Sequence, residues 1–337
     1  MRFTLSDEQA AIRSMARDVL ADKSTFASVR RAAEDGRRDD ELWDQVAELG
    51  WPGIAISREA GGVGLGVVEL CVLAEEAGAA CAAMPFLGSA LAAMVIERAG
   101  TREQQDRWLE PLVNGRAVGA LGMAGDDTPI PDAGAADVVV LVDPVNGGAL
   151  VYQRPDIEVV TTIDPTLSYG RVATGAAGES MPGSAAESLD AAAVVVSAHL
   201  LGVARRALDM SVRYVSERHQ FGVPVGSFQA VSHRLAQMYF DTEAARSLTY
   251  FAAWAIDSDD PEAGAASARA KAWAAETSRG TAGSAIHAHG GIGFTWEADV
   301  HWLYKRATLF GPYLGGASYH RRRLIDQIAP DAIVRSA

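Results

Sequence analysis

Two cysteines in 337 residues are too few to staple a fold. Cys71 and Cys81 stand ten apart, make no CxxC pair and match no zinc spacing. In apolar surroundings they read as buried thiols of a reducing compartment. Aromatic residues are scarce as well, at 7%. Basic residues are outnumbered, 30 Lys and Arg against 43 Asp and Glu, and the formal net charge of −13 repels nucleic acid. The best basic candidate, Arg321-Arg322-Arg323, reads as favourable charge in the last turns of a helix. The opening MRFTLSDEQA has no apolar signal core, and the most apolar stretch, residues 191–204, is too short to span a bilayer. A soluble, cytoplasmic protein is the expectation. GxSxG is absent, so Ser-His-Asp catalysis has no support, and no repeat of fixed period is present.

What the chain does have is alanine and helical periodicity. Ser6 to Gln9 and Thr101 to Gln104 are capping-box patterns, and Gly50 follows ELWDQVAEL as a helix stop. Residues 1–117 therefore read as a helical domain. From 118 to 185 Gly, Pro and Asp become dense. ADVVVLV (136–142) and ALVYQ (149–153) flank an Asn146-Gly147 turn, and IEVVTTI (157–163) offers a third strand of a small β domain. Residues 186–337 return to helix. A run of about nine turns is stopped by Gly222 and Pro224, a second helix is capped by Ser227, a third starts at Pro261 and ends at Gly290-Gly291, and shorter ones follow around 299–309 and 318–328. The fold class is mainly α with a small β domain.

Three motifs invite a chemical reading. GGVGLG (61–66) lacks the surrounding βαβ pattern of a dinucleotide loop, so a glycine-rich turn before a helix is favoured. In HAHGGIGFTWEADVH (287–301), His287 and His289 point about 200° apart on a helix and cannot chelate one ion, so no metal site is expected. The paired glycines suit either a helix end or a close backbone approach to a ligand phosphate. In RHQFGVPVGSFQA (218–230), Arg218 offers a fork of donors suited to phosphate and Phe221 a flat face for a ring; a capped helix end is the plain alternative.

Together these segments resemble the acyl-CoA dehydrogenase family. SDEQ and GGVGLG are similar to its N-terminal helical domain. LGVARRALDMSVRYVSERHQFGVPVGSFQAVSHRLAQM resembles the first two helices of its C-terminal domain, and HAHGGIGFTWEADVHWLYKRA its Gly-Gly segment and the helix after it. The resemblance implies an N-terminal α domain, a middle β domain, a C-terminal four-helix bundle, FAD between subunits, and α,β-dehydrogenation of an acyl-CoA thioester. A carboxylate base takes the α-proton and the flavin takes the hydride. It also implies that Arg218, Gln220, Phe221, His287, Gly290 and Gly291 reach the FAD of a neighbouring subunit, with His287 where many members carry Gln.

Where the family places its base in Tyr-Glu-Gly-Thr, this chain has Tyr313-Leu314-Gly315-Gly316, so Leu314 replaces the usual Glu. The alternative position, on the first C-terminal helix, falls on Ala192. Asp190 and Glu187 are near it but out of phase, and Asp190 is kept as a candidate base. The middle domain is short: GALGMAGDD (119–127) matches poorly the strand that helps hold the flavin ring, and a later one has no counterpart. What a subunit supplies to its own site is eroded, and what it supplies to a neighbour is kept. The expectation is a heteromer in which a paralogous acyl-CoA dehydrogenase subunit carries the base. The chain then resembles the short subunits of actinobacterial heterotetrameric enzymes acting on steroid side-chain CoA thioesters. A homotetramer with an unrecognised base and a flavin-free helical scaffold are the alternatives.

Overall fold

The computed structural model describes residues 4–173 and 175–328. The first domain is helical: α1 (Asp7–Lys23), α2 (Phe26–Asp35), α3 (Asp40–Glu48), α4 (Val67–Ala79), α5 (Phe86–Ala99) and α6 (Arg102–Val113). Both capping boxes form. The Ser6 hydroxyl accepts from the Gln9 amide while the Gln9 side chain accepts from the Ser6 amide, and Thr101 with Gln104 repeats the exchange. Gly50 follows α3 at φ 74°. GGVGLG is a turn ahead of α4. A Cβ on Gly62 would lie 2.2 Å from the Ile56 carbonyl oxygen, so glycine there serves a crossing of the chain over itself.

The β domain holds β1 (Gly119–Met123), β2 (Val138–Val142), β3 (Ala149–Gln153), β4 (Ile157–Val159), β5 (Gly170–Val172) and β6 (Glu179–Met181). Four strands form one sheet in the order β1-β2-β3-β6, with β1 parallel to β2 and the other pairs antiparallel. The Asn146-Gly147 turn joins β2 to β3, Val142 facing Ala149. The third expected strand is shorter than 157–163. Only β4 forms, and it pairs with β5 outside the sheet. Val159 and Ile163 are 65% and 50% exposed, so that segment has no buried face to fix a longer register.

The last domain packs α7 (Ala186–Glu217), α8 (Gln229–Asp257), α9 (Ala263–His289), α10 (Val300–Phe310) and α11 (Ala317–Ile328). The apolar stretch of α7 is longer than 191–204. An 18-residue window is apolar enough to cross a membrane by composition, but 89% of it is buried inside the fold, as for a core helix. α7 crosses α4 with almost no space between backbones. A Cβ on Gly202 would lie 1.8 Å from the Glu75 carbonyl oxygen, and one on Gly78 2.0 Å from that of His199. Beside this crossing Glu75 and Glu76 are buried under Arg13, Arg205 and Arg246. Burial alone would raise the Glu75 carboxyl, but the guanidiniums of Arg246, Arg205 and Arg13 outweigh it and hold it below the usual carboxylate range.

Three local expectations change. Ser227 does not cap α8. Its hydroxyl donates to the Pro224 carbonyl at 2.6 Å, and Phe228 precedes the helix instead. The third helix starts at Ala263, after an aspartate turn in which Asp260 accepts from the Glu262 amide. The arginine triplet sits in the middle of α11, where Arg321 pairs with Glu276 of α9 and Arg323 with Asp190 of α7. It docks the helix and is not a cap charge.

Candidate functional site

α7 ends at Glu217, and Arg218 turns the chain into extended conformation. Next comes a minimal hairpin, β7 (His219–Gln220) against β8 (Val223–Pro224), turned by Phe221 and Gly222 at φ 55° and 83°. Two positive φ values mark a type I′ turn, which ordinarily carries Asn-Gly. Phenylalanine in this conformation costs about 1–3 kcal/mol. Its ring is 92% exposed, with only an edge-to-face contact to Phe228. The sequence alone shows the Gly-Pro stop but not this hairpin.

The facing wall is the end of α9. His289 is buried, donates from Nδ1 to the Ala285 carbonyl at 2.7 Å, and stacks on Tyr214 of α7 at 4.5 Å. Gly290 follows at φ 64°, ψ −145°, a conformation open essentially to glycine alone. A Cβ on Gly290 or Gly291 would meet nothing within 4 Å, so both backbones face open space.

Between these walls lies a cavity of about 640 Å³. Arg218, Gln220, His287, Gly290 and Gly291 all line it, so five of the six expected contact residues converge there. Phe221 does not line it. Arg234, from the second turn of α8, does, and sequence reading passed over it. The available signal was its position three and four residues past Val231 and Ala230, on one helix face. No carboxylate lines the cavity, and neither Arg218 nor Arg234 has an ion-pair partner among the described residues. Val225, Val231 and Leu235 give it an apolar side. Two guanidiniums, exposed glycine backbone and an apolar wall suit a dianionic group attached to a flat, largely apolar body.

A second region surrounds Leu314. Leu314 is 2% exposed and sits at φ 54°, in a turn held from several sides. The Tyr313 hydroxyl donates to the Leu121 carbonyl of β1 at 2.8 Å. The fully buried Lys271 ammonium donates to the carbonyls of Gly311 and Gly315 at 2.8 and 2.9 Å, and His320 bonds the Leu314 carbonyl through Nε2 at 2.9 Å. Burial pushes Lys271 down to about 7 and, with Lys271 beside it, His320 down to about 3. No carboxylate bonds to this turn among the described residues. Ala192 is fully buried, and the Asp190 carboxylate is held by Arg323 at 2.6 Å. Burial raises the Asp190 carboxyl and Arg323 opposes the rise.

His287 and His289 separate as helix geometry requires, and His301 lies on the next helix, α10. His287 faces the cavity, His289 points into α7, and His301 packs against Trp296 and Trp302. No group of three potential metal ligands occurs among the described residues.

A helical domain, a small sheet and a long-helix bundle, with an anion-receptive cleft at the bundle's end, define the acyl-CoA dehydrogenase architecture. The chain belongs to that family. Residues 183–329 match the model of the acyl-CoA dehydrogenase C-terminal domain, and residues 6–116 that of the N-terminal domain. It is 33% identical over 307 residues to acyl-CoA dehydrogenase IpdE2 of Mycobacterium tuberculosis, covering 90% of this chain and 92% of that one. Among solved structures it is similar to a variant of the Tcur3481-Tcur3483 steroid ACAD, with 30% identity, TM-score 0.86 and coverage of 98% of this chain and 100% of the other. It is also similar to the ChsE4-ChsE5 complex from Mycobacterium tuberculosis, with 26% identity, TM-score 0.87 and coverage of 98% and 99%.

Proposed function

We propose that this chain is the supporting subunit of a heteromeric acyl-CoA dehydrogenase: it completes the FAD site of a paralogous partner that carries the base. One contrast supports the reading. The cleft built by Arg218, Arg234, His287 and the Gly290-Gly291 backbone is open and free of carboxylates, while the turn at Leu314 is buried and carries no acid. The cleft fits the pyrophosphate of FAD. Guanidiniums bind phosphate oxygens in pairs, and no neighbouring carboxylate competes for them. Glycine at 290 and 291 leaves space where a Cβ would keep phosphate away from the amides.

In this reading Arg218 and the Gly-Gly backbone hold the diphosphate, Gln220 and His287 add hydrogen bonds, and Val225, Val231 and Leu235 cover the adenosine. FAD, when bound, supplies the hydride acceptor. The α-proton of the acyl-CoA goes to a carboxylate on the partner, because Leu314 and Ala192 have no proton acceptor to offer. Asp190 is not the base in this scheme, since Arg323 occupies it. A steroid-type acyl group is the substrate class, carried over from the steroid ACAD relative.

Co-expression with candidate partner chains, read by the visible spectrum of the purified protein, tests the proposal. Flavin bands only on co-expression are expected. Flavin bound to this chain alone would favour a homotetramer, and no flavin in any combination would favour a scaffold.

A further inference from the structure

Arg234 is the cation of the cavity that no sequence motif assigned. It also borders a second, smaller cavity of about 260 Å³ between α8 and α9, and Ser284 lines both. The second cavity is walled by Asp241 and Glu276. Asp241 accepts from the Gln237 amide at 2.9 Å, and Glu276 pairs with Arg321. Asp241, which has no ion-pair partner among the described residues, makes that side unfavourable for a phosphate, while the first cavity has no carboxylate. Arg234 therefore stands at a boundary of sign, with its own charge unspent among the described residues. Val231 and Leu235 flank it on α8 and line the same wall, so the base of its side chain is fixed beside the cleft.

We propose that Arg234 is a second diphosphate-binding residue, gripping from α8 the anion that Arg218 grips from the end of α7. This rests on the flavin reading and refines it. A diphosphate presents two charged groups, and two guanidiniums on separate elements meet them at once. A flavin lacking the diphosphate uses neither. The Asp241 carboxylate beyond Arg234 sets the direction: the charged part of the ligand stops there, and its uncharged adenosine turns to the apolar wall.

The test is a reloading titration of FAD onto whichever assembly retains flavin, with Arg234→Gln, Arg234→Lys and Arg218→Ala compared and helix content checked by circular dichroism. Arg234 is exposed, so its replacement leaves the fold intact. Arg234→Gln is expected to weaken FAD at least about tenfold, with most of the loss recovered by lysine. Competition by ADP should weaken in parallel, and competition by adenosine should not change. If Arg234→Gln stays within about twofold of the parent while Arg218→Ala releases the flavin, the inference is overturned and the flavin reading stands. If neither arginine affects FAD, both are overturned.

Discussion

Lys271 and Gly315 are joined by a hydrogen bond of 2.9 Å that pins the turn immediately after Leu314. The ammonium is fully buried, has no carboxylate partner, and burial pushes it down to about 7. An unfolded lysine titrates at the ordinary value, so between pH 7 and about 10.5 the unfolded chain binds more protons than the folded one. Stability therefore rises with pH across that window, by at most about 1.4 kcal/mol per unit. Denaturant unfolding at pH 7, 8 and 9 should show this slope reduced in Lys271→Met. An identical slope in the variant would mean that the two carbonyls keep the charge at its ordinary pKa.

Asp132 gives the opposite sign. It is buried at φ 65° beside a small closed space shared with His199 and Arg306, and burial pushes its carboxyl up to about 7 despite Arg306 and Arg38. The folded state holds the proton more tightly, so stability falls as pH rises from about 4 to 7 and stays lowered above that. Asn tolerates the left-handed backbone. Asp132→Asn should match the parent near pH 4 and exceed it at pH 8, by as much as roughly 4 kcal/mol. Equal stabilities at both pH values would mean that the carboxylate is solvated in the native state.

Arg306 is the buried counterpart of Asp164. Its Nε donates to the carboxylate at 2.7 Å, and its remaining donors reach Thr166 and the carbonyls of Cys81 and Ala82. Arg306→Met leaves Asp164 charged and unpaired between α10 and the β domain, at a cost of about 3–5 kcal/mol. The denaturation midpoint reads this directly, and adding Asp164→Asn should recover part of the loss.

Replacing Leu314 by glutamate should not create an enzyme. The position is 2% exposed, and its neighbours are the Lys271-bound carbonyls. A carboxyl buried there either stays neutral or is bound by the Lys271 ammonium, and in neither form is it a free acceptor for a substrate proton. Leu314→Glu should lower the melting temperature of the lone chain and yield no enoyl-CoA with an added electron acceptor. Sustained enoyl-CoA production by that variant would refute the assignment of a supporting role.

Domain order was legible along the chain because helices and hairpins are announced locally. Ser6 with Gln9, Thr101 with Gln104 and Asn146-Gly147 each satisfy their own backbone within a few residues. The motif residues around the cleft were legible through their resemblance to a family. The longer third strand and the cap role of Arg321 to Arg323 were misread because each depends on a partner from elsewhere in the chain, and the Ser227 cap because a carbonyl three residues back takes the hydroxyl. Val159 has no second layer to cover it, Pro224 takes the Ser227 hydroxyl, and α9 and α7 take the arginines.

The sequence by itself determined the helical character, the place of the β domain and the presence of leucine at residue 314, since periodicity, turn chemistry and residue identity need no third dimension. Only the tertiary structure decided that Arg234 joins Arg218 and His287 in one cleft, that Asp190 is held by Arg323, and that Gly78 and Gly202 let α4 and α7 touch. Each of these depends on the distance between residues far apart in the chain. That distance is set by how the helices pack, and no local pattern encodes it.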